Sequence, residues 1–395
     1  VNLIDSLVAT GLALALLLVI ALDKLVFSSD PGTGSTGVKV EEPVIQVSKS
    51  AAPRPPRIAV TQTYEEKVRS QSGQQELEKW DDMPKLLDSL GEGYKYTIIP
   101  VSGLVDAKKL GEYDVLFYTC GRGGADSDIT SRLHDFVVNG GTLYASDWRY
   151  TAVALAFPDY QSERLQGSGA AGTIEADVVD PGLRDALGSP TVKLKFNLSQ
   201  WKTAAFGNDL LPPEDKDKVK VLIAGTYRQV KGDTATAPLL VKFQAGKGVV
   251  IFTSFHNEKQ TSEVEKKLLN FLVFSAVTAK TEAEVAQTML KGGFSPQKSN
   301  LLSASPESPS VTKTYHNKNA GPLRFSLGFE NRGARLKLTV VPPKGEKREH
   351  VGTSTFSMDF RDALIGDWQY TVTAEVIPFP NFPFTLTVGE SVDKK

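Results

Sequence analysis

Between Arg57 and Lys280, short and nearly continuous apolar stretches alternate with amphipathic ones, and no other feature of the chain limits its fold as tightly. Arg57–Gln62, Tyr94–Pro100, Val115–Thr119, Thr142–Ser146, Val219–Ala224 and Val249–Thr253 read as strands. Helices are expected around Met83–Leu90, where Pro84 suits a first turn, and over Asp128–Asn139 and Ser262–Ala276. Gly140-Gly141 stops the second helix before the strand that starts at Thr142. Strands that are apolar on both faces need cover on both faces. The pattern therefore predicts an α/β domain over residues 57–280 with a doubly wound, mostly parallel sheet. Residues 172–206 read as an insertion with strands of its own at Thr173–Val179 and Thr191–Leu198.

Beyond this domain the period changes. Residues 281–310 are rich in Ser, Pro and Asn around a short helical stretch near Glu282–Leu290 and are expected to be a linker. From about Val311 the chain alternates apolar and polar residues over Leu323–Phe329, Ala334–Val341, Thr353–Phe360, Trp368–Val376 and Phe384–Val388. With no helix between them, these predict a β-sandwich over 311–395. At the other end, Ser6–Leu22 is a charge-free run within an expected hydrophobic helix over 1–27. That run is long enough to cross a bilayer, which takes about 17–25 residues. Residues 28–56, with Asp30-Pro31-Gly32 early and Pro53-Arg54-Pro55-Pro56 late, read as a linker that buries no core.

The charge balance excludes one class of partner. Lys+Arg number 45 against 46 Asp+Glu, so no net field draws the chain to nucleic acid. A single cysteine, Cys120, rules out an intramolecular disulfide framework and a multi-cysteine metal site.

The opening residues Val1-Asn2-Leu3-Ile4-Asp5, running into Ser6-Leu7-Val8-Ala9 and the apolar stretch, resemble the mature N-terminus of type IV pilins and pseudopilins. A carboxylate in an apolar helix costs roughly 2.5–3.5 kcal/mol unless paired. The resemblance implies that Asp5 neutralises the α-amino group of Val1 in a neighbouring copy and sets the register of a helical stack. A chain opening on Val fits either removal of a leader or a GTG start. The same Asp5 also fits the proton-carrying acid of the B-type subunits of ion-driven motors.

A second resemblance covers most of residues 57–280. Asp114 to Gly124, a strand followed by Cys120-Gly121-Arg122-Gly123-Gly124, is similar to the strand and Gly-rich loop of class I glutamine amidotransferase-like proteins, including those of the trehalose-utilisation type. Phe136 to Asp147 resembles the helix end and strand leading to the nucleophile elbow, and Gly248 to Glu258 the late strand carrying the family's His and Glu. The resemblance implies a Cys at the elbow activated by that His and Glu. Here the elbow reads Tyr144-Ala145-Ser146-Asp147-Trp148, so His256 and Glu258 remain without the nucleophile. Asp147 is the positional match to the missing Cys, Ser146 is a neighbour within reach of His256, and Cys120 is a rival at a strand end.

Asp126, Asp128, Asp147, His256 and Glu258 offer oxygen and nitrogen ligands, but their spacing fits no metal motif. No metal and no other cofactor is expected. His134, His316 and His350 read as structural. Catalytic chemistry is not expected, with Ser146, Asp147, Cys120, His256 and Glu258 as the weak candidates for it. The sequence points to a structural subunit of a pilus-like filament at the cell surface, made of copies of itself, held in the cytoplasmic membrane before assembly. The alternatives are a bitopic subunit of a motor or sensor complex and a membrane-tethered hydrolase-like enzyme.

Overall fold

A computed structural model describes residues 44–46, 54–69, 75–215, 218–330 and 332–392. The expected N-terminal helix over 1–27, with Val1 and Asp5, lies outside the described residues. Among the described residues, no helix is long and apolar enough to cross a membrane.

A nine-stranded sheet organises the α/β region. Five of its strands are mutually parallel, in the spatial order Gly248–Thr253, Thr142–Ser146, Val115–Tyr118, Ile58–Thr61, Tyr96–Ile99. Numbered along the chain this is 5-4-3-1-2, the doubly wound order that reverses direction between Ile58–Thr61 and Val115–Tyr118. Side chains alternate across the sheet as parallel strands require. Ile58, Val60, Val115, Phe117, Tyr144 and Ile251 join one core, while Ala59, Leu116, Tyr118, Leu143, Val250 and Phe252 join the other. Met83–Leu90 and the long helix Glu263–Lys291 cover the first face, and Ser127–Val138 and Tyr150–Ala156 the second.

Four more strands extend the sheet antiparallel beyond Gly248–Thr253: Thr234–Ala245, Val219–Arg228, Gly172–Val178 and Thr191–Phe196. The last two are the predicted strands of the 172–206 insertion. Thr234–Ala245 is absent from the sequence reading. It contains Pro238, a residue that argues against a central strand, and the neighbouring strand shows register irregularities between Val221 and Ala224.

The stretch 281–310 is not a linker. Helix Glu263–Lys291 runs straight through its first part, and the strand Phe294–Ala304 follows two residues later. The helix starts at a capping box in which Ser262 and Glu265 satisfy each other's backbone N–H groups. Its 29 residues span roughly 43 Å at 1.5 Å per residue, long enough to pack on both the α/β sheet and the sandwich. Lys242 on the sheet and Glu282 on the helix pair at 2.6 Å, which fixes that seam.

The sandwich consists of a four-stranded sheet, Ser310–Asn317, Gly366–Val376, Arg335–Val341 and Arg348–Gly352, and a five-stranded one. The second sheet runs Val44–Gln46, Phe356–Ala363, Gly321–Gly328, Phe382–Ser391, Phe294–Ala304. Part of the expected 28–56 linker thus serves as an edge strand, antiparallel to Phe356–Met358. Phe325 from one sheet meets Trp368 and Tyr370 from the other at ring-centroid distances of 6.0 and 5.7 Å. The Phe379–Phe384 stretch packs inward, Phe379 against Tyr94 and Phe382. One continuous apolar core therefore joins sandwich and α/β region.

Candidate functional site

All five parallel strands point their C-terminal ends the same way, and the candidate residues gather at that edge. Strand Thr142–Ser146 ends in a turn where Asp147 takes φ +44°. This left-handed conformation is disfavoured for a side chain with a Cβ and occurs at the position the elbow would occupy. The short 3₁₀ turn Asp147–Arg149 then leads into the helix Tyr150–Ala156. Strand Gly248–Thr253 delivers His256, Asn257 and Glu258 just past its end, and strand Val115–Tyr118 delivers Cys120.

The sequence-predicted residues meet. His256 Nε2 lies 3.1 Å from Asp147 Oδ2, and His256 Nδ1 lies 3.6 Å from Glu258 Oε1. The Cys120 thiol approaches Asp147 Oδ2 at 3.7 Å. Ser146 turns away from His256: its hydroxyl donates to Asp81 Oδ2 at 2.5 Å and accepts the Cys120 N–H at 2.8 Å. Asp147 is the positional counterpart of the missing nucleophile, and its second oxygen accepts the Lys202 N–H at 2.7 Å. Asp126 stands apart; it caps the helix Ser127–Val138 by accepting the Ile129 N–H.

Two residues central to this cluster escaped the sequence reading. Asp81, fully buried at φ +60°, accepts the Asn257 N–H at 3.0 Å while its own N–H is donated to Glu258 at 2.9 Å. It thereby ties the strand Gln75–Trp80 to the late strand. Arg149 is buried too. It donates to the carbonyls of Thr119 at 2.8 Å and Gly123 at 2.7 Å and lies on the Tyr118 ring, 4.2 Å from its centroid. The Gly-rich loop is shaped around this guanidinium. A Cβ at Gly121 would sit 2.8 Å from it, and Gly124 adopts φ +77° with the Tyr118 hydroxyl against it. A signal for Asp81 was present in Trp80-Asp81-Asp82-Met83-Pro84, where only one of the two acids is needed to cap the helix; that role falls to Asp82.

The cluster is closed. Cys120, Ser146, Asp147 and His256 are all 4% exposed or less. Trp80 lies over His256 with nearly parallel rings at 6.4 Å, and Tyr64 and Trp148 pack on Trp80 at 4.8 and 5.6 Å. Through Tyr64 and Trp80, the antiparallel pair Tyr64–Arg69 and Gln75–Trp80 thus covers the site. A cavity of about 570 Å³ lies at the other end of the same strands, lined by Arg54, Asp114, Val115, Arg132 and Thr142, and does not reach these groups.

Burial and charge set the protonation states. Burial pushes the Asp81 carboxyl up to about 6, with the His256 charge pulling the other way and Glu258 adding to the rise. Burial also pushes the Cys120 thiol up to about 11, against the lowering effect of His256. For His256 burial favours the neutral ring, but Asp147, Cys120 and Glu258 outweigh it and hold the imidazole protonated well above its ordinary range. Both directions run against a thiolate nucleophile and a histidine general base at neutral pH.

No family model matches the chain, and no curated protein matches it. Solved structures with a similar outline include a ThuA-like protein from Bacteroides uniformis, at 12% identity over 59% of this chain and 95% of that one, TM-score 0.38. A second ThuA-like protein, from Parabacteroides merdae, shows 12% identity over 57% and 91%, TM-score 0.36. The CBM51-2 and INT domains of Clostridium perfringens ZmpB, solved with GlcNAc, align over 50% and 45% at 9% identity and TM-score 0.16. The neighbours are thus ThuA-like domains and folds of the β-sandwich, carbohydrate-binding-module kind. At these scores the chemistry has to come from the residues of this chain alone.

Proposed function

We propose that the chain is a non-catalytic assembly subunit, in which the α/β region and the sandwich form one rigid head and the N-terminal apolar segment supplies the self-association or membrane contact. The observation that carries this reading is that each candidate nucleophile is buried and already engaged by the protein. Ser146 Oγ is spent on Asp81 and the Cys120 N–H, Asp147 Oδ1 accepts the Lys202 N–H, and burial raises the Cys120 thiol. An elbow that served catalysis would present its nucleophile and a free pair of N–H donors to a substrate. Here the Cys120 N–H, at the mouth of the Gly-rich loop, is consumed by Ser146.

Further support comes from the seam. A helix shared by the two regions and one continuous core suit a head that transmits position rather than one that opens around a substrate. In the assembly, copies of the chain pack through their N-terminal segments with Asp5 facing a neighbour's α-amino group, and the heads are displayed at the cell surface. Imaging and sedimentation of the full-length chain test this. The expected result is ordered oligomers or filaments that are lost in Asp5→Asn; a monomeric wild-type chain, or assembly indifferent to Asp5, would overturn it.

A further inference from the structure

We propose that Cys120, Asp147 and His256 bind a divalent metal ion of the zinc class inside the closed cluster. The inference goes beyond the assembly role and holds whether or not the chain forms filaments. One thiol sulfur, one carboxylate oxygen and one imidazole nitrogen, all buried, lie within 4.8 Å of one another. The Cys120 Sγ to Asp147 Oδ2 distance is 3.7 Å and that from Asp147 Oδ2 to His256 Nε2 is 3.1 Å. A tetrahedral ion with Zn–S of about 2.3 Å and Zn–N and Zn–O of about 2.0–2.2 Å places its ligand atoms roughly 3.3–3.6 Å apart. Both of these separations match a shared ion to within a few tenths of an ångström, and the third pair lies within 4.8 Å.

The surroundings independently point to a ligand. Both ring nitrogens of His256 lie near carboxylates, yet neither makes an aligned hydrogen bond. The acceptor oxygens Asn257 Oδ1 and Glu258 Oε1, next along the chain from this ring, are likewise buried without a hydrogen-bond partner. An imidazole nitrogen that faces a carboxylate without an aligned hydrogen bond suits a shared cation, which requires only that lone pairs face it. The supporting shell is also of the kind metal sites use. Glu258 Oε1 lies 3.6 Å from His256 Nδ1, so that a small approach would give the carboxylate–histidine hydrogen bond that orients a ligating ring. The Lys202 N–H holds Asp147 Oδ1 and leaves Oδ2 to point inward.

The charge count agrees. Asp81, Asp147 and Glu258 crowd around a single histidine, and a divalent ion balanced by Asp147 and a Cys120 thiolate adds no net charge. On binding, the thiol proton and the imidazolium proton leave to solvent. A water takes the fourth position. The mixed Cys/His/carboxylate set favours zinc over magnesium or calcium, which prefer oxygen alone. Long sequence spacing, from position 120 to 147 to 256, hides such a site from motif reading.

The test uses the full-length chain, stripped with a chelator and then exposed to zinc alone or cobalt(II) alone. Elemental analysis after gel filtration should find one zinc per chain, and the cobalt form should show a thiolate-to-cobalt charge-transfer band with tetrahedral d–d absorption. Cys120→Ser should abolish that band, and Glu258→Gln should weaken zinc binding roughly tenfold or more. Retention of less than about a tenth of an equivalent would overturn the proposal, the threshold being what a site of ordinary structural affinity far exceeds. So would cobalt bound by the wild-type chain without a thiolate band, a readout that does not depend on any variant folding.

Discussion

In the sandwich, the Arg324 guanidinium meets Asp359 through two N–H donations of 2.7 Å each and lies on the Phe294 ring at 4.2 Å. At the C-terminal edge of the parallel strands, two carboxylates, Asp147 and Glu258, flank one imidazole that makes no aligned hydrogen bond. Both clusters bury charge. The first saturates its donors and acceptors in a planar, bidentate fit, which is how a purely structural pair offsets its desolvation. The second has acids in excess and polar atoms left over, which no purely structural need explains. The contrast teaches that the edge cluster carries more polar groups than its own hydrogen bonds use.

Removing the cation from each cluster should separate them. His256→Ala leaves Asp147 buried beside the Cys120 thiol with no positive partner, and a loss of about 3–5 kcal/mol is expected in chemical denaturation. Arg324→Met should cost less, about 2–3 kcal/mol, since Asp359 is partly exposed and can hydrate. Adding Asp359→Leu to that variant should recover much of the loss, because a saturated pair can be replaced by apolar packing. No single substitution should rescue His256→Ala. Equal losses for the two variants would erase the distinction.

Ser146→Ala is the next smaller perturbation. It leaves the Cys120 N–H and one Asp81 oxygen unpaired in the interior, at about 1–3 kcal/mol by thermal or chemical unfolding. A pH effect at Asp81 is of similar size. Its carboxyl ionises near 6 when folded and near 3.8 when unfolded, so the unfolded state releases its proton first and stability falls as pH rises from about 4 to about 6. Asp81→Asn should flatten that part of the profile, and an unchanged profile would show that Asp81 is not held protonated.

Much of this arrangement is written in the local sequence. The five parallel strands are legible because each carries apolar residues toward both faces, and the Gly-rich loop and the His256–Glu258 strand end mark one edge of the sheet in the sequence itself. Thr234–Ala245 is illegible because it pairs antiparallel and carries Pro238. The 281–310 stretch misleads because Ser and Asn there pair within the sandwich, Asn300 with the Tyr370 hydroxyl and Ser299 with Thr387. Asp81 and Arg149 are set by long-range contacts that no window of sequence contains. The placement of Ser146 away from His256 is equally non-local, since it depends on Asp81, 65 positions earlier in the chain.

The central claim is that the edge cluster is closed and its thiol is not a nucleophile. Cys120 is the only cysteine in the chain, so alkylation followed by intact mass reports on it alone. With burial pushing its thiol up to about 11, native protein near pH 7.5 should react at least ~100-fold more slowly than unfolded protein, at a rate set by opening of the fold. Labelling of the native protein as fast as an exposed thiol would contradict the account, because it would mean that Cys120 and the histidine beside it are open to substrate.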